Sequence, residues 1–435
     1  MPGTTAKSRI EQGRMGRWQW LAVAITVGLN GLDGFDVLSI SFASPGIAKD
    51  WGVDQATLGW VLSMELLGMA IGSILLGGVA DKIGRRPTIL GCLAAMAIGM
   101  WSAGQAGSVM VLLGWRLLTG LGIGGMLAAI NAAAAEVSNL RWRSLAMALM
   151  VIGYPIGGVI GGLGVQAIYG SGGTWHDVFT MGAIATALCI PLVWFGLPET
   201  TAWLDRKQPA GALDRINRTL KHFGHAAADA LSELSADDQK GSLADIFKPG
   251  LIGVTLLITL AYFAHITSFY FVLKWVPKIV VDLGFEPRAA AGVLTWANVG
   301  GASGGAVLGL LATRIGLKRV TIGALLISVG VVVWFGQGAR DLTQLATVVG
   351  ITGFFTNSAI VGLYSLFAII FPTHVRATGT GFAIGVGRGG AALAPVLAGY
   401  LFQAGFALST VAMVMACGSL VAALALIALK ESRSV

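Results

Sequence analysis

Apolar stretches long enough to cross a lipid bilayer recur along the whole of this 435-residue chain. They fall at about 18–45, 54–79, 87–106, 109–135, 144–168, 175–197, 250–281, 289–312, 319–337, 342–370, 377–402 and 406–429. A membrane helix needs about 20 apolar residues, so the pattern predicts twelve spans. Only 11% of the residues are charged, against roughly 25% in an average soluble domain. That excludes a disordered chain, a collagen-like chain and an ordinary soluble enzyme. The chain carries 63 glycines, as expected where helices pack closely through small residues in lipid. The N-terminal stretch MPGTTAKSRIEQGRMGRWQW is basic, and the apolar run after it is full helix length and contains acids. It reads as a first membrane helix rather than a cleavable signal.

The basic residues give the orientation. Of the 29 Lys and Arg, Arg116, Lys274 and Arg388 lie inside spans, and Lys49, Lys278, Arg288 and Arg340 lie on odd-numbered connections. All the others lie on the tails, the central loop and the even-numbered connections. Basic loops stay in the cytoplasm, so both termini and the central loop are expected there. This asymmetry accounts for the net charge of +8 without nucleic acid. The expected organisation is a tail at 1–17, a six-helix half at 18–197, a cytoplasmic loop at 198–248, a second six-helix half at 249–429 and a tail at 430–435. Cys92, Cys189 and Cys417 have neither disulfide nor metal spacing and read as buried, unpaired thiols.

A shift of about 232 residues aligns the halves. Asp50-Trp-Gly52-Val-Asp54 falls on Asp282-Leu-Gly284-Phe-Glu286, Pro45 on Pro277, and Ala80, Ile83 and Gly84 on Ala312, Ile315 and Gly316. An even number of spans per half makes the repeats parallel, about an axis along the membrane normal. Transporters built this way hold their substrate near the midplane between the halves.

Two motif groups narrow the reading. After span two comes Gly77-Gly-Val-Ala-Asp81-Lys82-Ile-Gly84-Arg85-Arg86-Pro87, with a weaker copy at Gly309-Leu-Leu-Ala-Thr313-Arg314-Ile-Gly316-Leu-Lys318-Arg319. It is a tight turn in which Gly84 permits positive φ and Asp81 can pair with cations or cap a helix N-terminus. Elsewhere stand Asn30-Gly-Leu-Asp33-Gly34-Phe35-Asp36, Gly114-Trp-Arg116 followed by Gly120, Gly122, Gly124 and Gly125, Leu197-Pro198-Glu199-Thr200, Phe371-Pro-Thr-His-Val-Arg376, and Gly387-Arg388-Gly389-Gly390. Over nearly its whole length the chain resembles the major facilitator superfamily, and within it the bacterial aromatic acid:proton symporters. The resemblance implies an all-α membrane protein of twelve transmembrane helices in two pseudo-symmetric six-helix halves. It implies proton-coupled import of benzoate, hydroxybenzoate, protocatechuate or a related acid across a bacterial inner membrane. It also implies that the Asp33-Gly-x-Asp36 pair is needed for transport, and that Asp81, Gly84, Arg85 and Arg86, with Arg376, form a conformational latch. The proton gradient is the expected driving force, with no cofactor, no nucleic acid and a monomeric carrier.

The same residues can be read from their physics. A charge in the hydrocarbon core costs at least about 2.5–3.5 kcal/mol on insertion scales. It persists where it lines a wet cavity or finds a partner. Asp33 and Asp36 share a helix face, and Asp33 lies about 22 Å beyond Trp18. Two close carboxylates in low dielectric resist joint ionisation, which suits a proton carrier; the alternative is a static pair fixed by neighbouring donors. Glu65 is either a further proton site or a partner for Arg116 or Asn131. Arg116 and Arg388 come from opposite halves, and each can grip a carboxylate in a bidentate fork or serve as a fixed counter-ion. His265 falls on Asp33 under the shift and is a candidate substrate or proton contact. Tyr154 is a candidate ring contact. Lys274 lies three residues before Pro277 and is expected to snorkel to the outer surface. The rivals are a carrier for another solute, such as an aliphatic dicarboxylate, a sugar or an exported drug, and a transporter-like sensor.

Overall fold

The computed structural model describes residues 5–232, 243–338, 341–372 and 375–429. Within them lie twelve long helices and three short α-helices. A short α1 (Ala6–Gln12) leads into α2 (Arg17–Trp51), α3 (Gln55–Ile83), α4 (Arg85–Gly104), α5 (Val109–Val137), α6 (Arg143–Gly170) and α7 (Trp175–Gly196). Two amphipathic pieces follow, α8 (Thr201–Lys207) and α9 (Ala212–Phe223). The second six are α10 (Ile252–Asp282), α11 (Pro287–Ile315), α12 (Leu317–Gly336), α13 (Leu342–Ile370), α14 (Arg376–Gln403) and α15 (Leu408–Ala428). Eleven of the long helices are apolar enough to cross a membrane. The twelfth, α11, has the same length as α3, but Asn298, Ser303 and glycines such as Gly300, Gly301, Gly304 and Gly305 dilute its apolarity.

The repeat is visible in the structure. The 232-residue offset that carries Gln55 to Pro287 also carries the bounds of α3 and α4 onto those of α11 and α12. Gly52 and Gly284, at the turns after α2 and α10, both have positive φ, as do Gly84 and Gly316. Packing repeats too: α3 lies on α5 as α11 lies on α13, and α2 on α6 as α10 on α14. One expected end moves. The helix α2 does not stop at Pro45 but runs through it to Trp51, whereas α10 carries Pro277 inside it and ends at Asp282, as expected. Of the cysteines, all free, only Cys92 is buried; Cys417 is exposed on the bundle surface, where lipid can cover it.

The halves meet along α3 and α14, α6 and α11, and α2 and α10. Their hydrogen bonds cluster at the end that carries the Gly52 and Gly284 turns. Ser63 Oγ donates to Ala392 O at 2.6 Å, Trp60 to the Tyr400 hydroxyl at 3.4 Å, and the Gln55 amide to Gln403 Oε1 at 3.2 Å. Gln166 reaches Thr295 at 3.4 Å. A Cβ on Gly59 would stand 2.6 Å from Pro395 O, so the backbones touch there. The turn end is closed to mid-depth.

Candidate functional site

Three acids and three bases meet at the middle of the bundle. Asp33, Asp36, Glu65, Arg116 and Lys274 are all buried, and Arg388 is half-buried. The packing of α3 on α5 decides the first pairing. A Cβ on Gly120 would fall 2.1 Å from Glu65 O, so only glycine admits this approach. It sets Glu65 against Arg116, and the two form an ion pair with no exposed side-chain surface. Arg116 also donates to Asp36 O at 3.0 Å and stands over the Phe179 ring at 5.3 Å. Of the alternatives open for Glu65, the structure forms the pairing with Arg116, and the Asp33 and Asp36 carboxylates make no ion pair with Arg116.

Lys274 corrects the expected snorkelling. Lys274 sits eight residues before the end of α10, about 12 Å deep, on the face turned to the first half. It is fully buried, donates to Val37 O across the interface between halves, and lies 3.6 Å from Glu65. Glu65 therefore holds two cations, one from each half. None of the carboxylate oxygens of Asp33 and Asp36 has a hydrogen-bond partner. Thr186, beside Asp36, donates instead to Gly182 O at 2.8 Å.

Arg388 stands differently from Arg116. Its Nε has no hydrogen-bond partner, and no carboxylate among the described residues forms an ion pair with it. Asp33, Tyr262 and Tyr270 are within its electrostatic reach. Tyr262 shares a hydroxyl–hydroxyl bond of 2.8 Å with Tyr364. Tyr154 of α6 and Tyr270 of α10 face each other from opposite halves, and the Tyr154 hydroxyl has no hydrogen-bond partner. The result is a free guanidinium among phenol rings. Tyr262, Tyr270 and Tyr364 had no distinguishing signal in the sequence; the reach of Arg388 to the first two and the bond between Tyr262 and Tyr364 mark them.

His265 is placed elsewhere. Its Nδ1 meets Ser419 Oγ at 3.0 Å and its Nε2 meets Thr356 O at 2.9 Å. Both ring nitrogens are engaged in packing α10 on α13 and α15, which corrects its assignment as a substrate contact. Asn131 donates to Leu127 O within its own helix rather than to Glu65.

The turn between α3 and α4 forms a second charged cluster. Gly84 has φ +116°. Arg85 pairs with Asp81 at 2.8 Å and with Glu136 at 3.0 Å, and Arg206 pairs with Asp81 at 3.1 Å. Asp81 thus meets cations, while the α4 N-terminus is covered by Glu199, which accepts from the Arg85 and Arg86 amides at 3.0 and 3.3 Å. Burial holds the Glu199 carboxyl above its ordinary range against the pull of those amides. Arg86 stacks on Trp194 at 5.2 Å. Arg376 stands apart in the other half and donates to Phe371 O at 3.3 Å. In the second-half copy Thr313 donates to Leu310 O, and among the described residues nothing lies against Gly316.

The family model described as Major Facilitator Superfamily matches residues 26–291. The chain is 30% identical over 415 residues to the 3-(3-hydroxy-phenyl)propionate transporter of Escherichia coli (strain K12), covering 94% of each chain. It is 30% identical over 394 residues to the 4-hydroxybenzoate transporter PcaK of Pseudomonas putida, covering 89% of this chain and 87% of that one. A solved D-xylose-proton symporter superposes with a TM-score of 0.73 at 17% identity, over 94% of this chain and 97% of the other. An inward open xylose transporter from E. coli gives 0.73 at 16%, over 96% and 98%. At such identities these two matches speak for the fold.

Proposed function

The chain belongs to the major facilitator superfamily, and from that premise we propose that it imports a small aromatic carboxylate together with protons. The observation that carries this reading is Arg388, a half-buried guanidinium that forms no ion pair among the described residues and has Tyr262 and Tyr270 within its electrostatic reach. A guanidinium binds a carboxylate with two parallel hydrogen bonds, and phenol rings pack against an aromatic ring. The relatives named for hydroxyphenylpropionate and 4-hydroxybenzoate point to the same ligand class.

Charge balance supplies the coupling. With all side chains ionised, Asp33, Asp36 and Glu65 offset Arg116, Lys274 and Arg388. An incoming carboxylate makes the closed site anionic, which is costly in low dielectric. A proton on Asp33 or Asp36 restores neutrality. Asp33 is the better placed, because it shares the field of Arg388: once neutral, it stops competing with the substrate for the guanidinium. The Lys and Arg distribution supports a cytoplasmic placement of both termini. On this reading the turn end is the outer side, and the chain works as a monomeric carrier of a bacterial inner membrane, here closed to the outside.

The test is uptake of labelled hydroxybenzoate into proteoliposomes with and without an inward proton gradient. The parent accumulates substrate only with the gradient. Asp33→Asn loses accumulation but keeps counterflow exchange, and Arg388→Lys, which keeps the charge without the fork, weakens binding markedly. Gradient-independent uptake, or tighter binding of a sugar than of any aromatic acid, refutes the reading.

A further inference from the structure

We propose that Lys274 is a positioning residue of the transport cycle: the charge that clasps the two halves shut at the turn end, by bridging from the second half onto Glu65 and the Val37 carbonyl of the first. This rests on the alternating-access part of the proposed function and not on the identity of the substrate. The geometry is specific. Lys274 contributes the ammonium that crosses between the halves at mid-depth, donating to Val37 O and lying 3.6 Å from Glu65. The other cross-half contacts named above are neutral hydrogen bonds. Both side chains are fully buried, so the attraction acts in low dielectric, and separating the pair there without water is costly.

The two cations on Glu65 have different duties. Arg116 shares the first half with Glu65 and moves with it in any rigid-body rocking of the halves. Lys274 does not. When the turn end opens, Lys274 leaves Val37 O and Glu65 together, and Glu65 keeps Arg116. The site thus has a permanent partner that prevents Glu65 from ever standing bare, and a conditional partner whose contact exists in one state. A contact present in one state only is what biases a two-state equilibrium. Arg116 faces both groups and is held by the Asp36 carbonyl and Met100, so it stays in place when Lys274 withdraws.

The experiment reads the state directly. Spin labels at Lys49→Cys and Glu286→Cys, both exposed and on opposite halves at the turn end, replace Cys92, Cys189 and Cys417 as the only labelled sites. Pulsed dipolar distances are recorded on the full-length protein in lipid discs, without substrate. In the parent the shorter, closed distance dominates. Lys274→Met raises the open-to-closed ratio about tenfold, within the usual span of a coupling between two states, and Lys274→Arg restores the parent distribution. Glu65→Gln shifts the ratio the same way and serves where Lys274→Met fails to fold. Distributions unchanged in Lys274→Met or Glu65→Gln overturn the clasp, as does equal opening by Lys274→Arg and Lys274→Met, which would make packing rather than charge the cause. Gradient-driven uptake by the parent is scored separately, so loss of the transport reading is distinguishable from loss of the clasp.

Discussion

Replacing Glu199 by Ala tests the architecture of the charged turn most directly. The Glu199 carboxylate is 8% exposed and accepts from three backbone amides, those of Arg85, Arg86 and Thr200, at 3.0, 3.3 and 3.0 Å. Two of these are the first amides of α4, which have no partner inside their helix. It fits so closely that a Cβ on Gly84 would stand 2.2 Å from Glu199 Oε2. A lost cap costs about 0.5–2 kcal/mol, and a hydrogen bond to a charged group is worth about 1.5–3 kcal/mol. Burial of the carboxylate works against these bonds, as its raised pKa records. The net loss in Glu199→Ala is therefore about 2 kcal/mol, below the sum of the bonds. For a folding unit the size of one six-helix half this lowers the apparent melting temperature by roughly 4–8 °C, read by a thiol-free thermal shift assay in detergent. Because the folded pKa is raised, the proton-linked part of this stability is present at low pH and is lost as pH rises through the folded value. Glu199→Gln, which keeps one acceptor, should lose less than Glu199→Ala. A melting temperature unchanged in Glu199→Ala would refute the capping argument, and equal losses in both variants would refute the assignment to hydrogen bonds.

Two further outcomes are expected. Asp81→Asn weakens two pairs whose Asp81 side is 37% exposed, so stability should fall by less than about 1 kcal/mol while the transport rate drops; a parental rate in proteoliposomes would remove Asp81 from the latch. His225 bonds Gln19 Oε1 at 3.0 Å, and burial, with Arg9, lowers its pKa from 6.5. Its contribution to docking α9 is present above that ordinary value and is lost as pH falls from it toward the folded one. A spin label at Lys221→Cys should grow more mobile across that interval, and His225→Gln should abolish the pH dependence.

The spans, their number and the repeat follow from sequence because each rests on local physics. An apolar run of helix length has no alternative to burial in lipid, and the Gly52 and Gly284 turns need a residue that accepts positive φ. The list of charges that must lie inside the membrane was legible for the same reason. Which charge meets which was not. Asp33, Asp36 and Glu65 are all within helical reach of Arg116 on paper, and only the approach of α3 to α5 through Gly120 delivers Arg116 to Glu65. Lys274 lies near the end of its span and reads as a surface cation, yet the packing of α10 against the first half delivers it to Val37 O and Glu65 and makes it a buried bridge. His265 occupies the position that the repeat makes equivalent to Asp33, but Ser419 and Thr356 claim both its nitrogens. Arg388 and its tyrosines come from separate helices, and no periodicity in one helix encodes a meeting of several. Sequence determines what the bilayer demands of each segment singly. The partners of a buried charge are a property of helix pairs, and helix packing alone decides them.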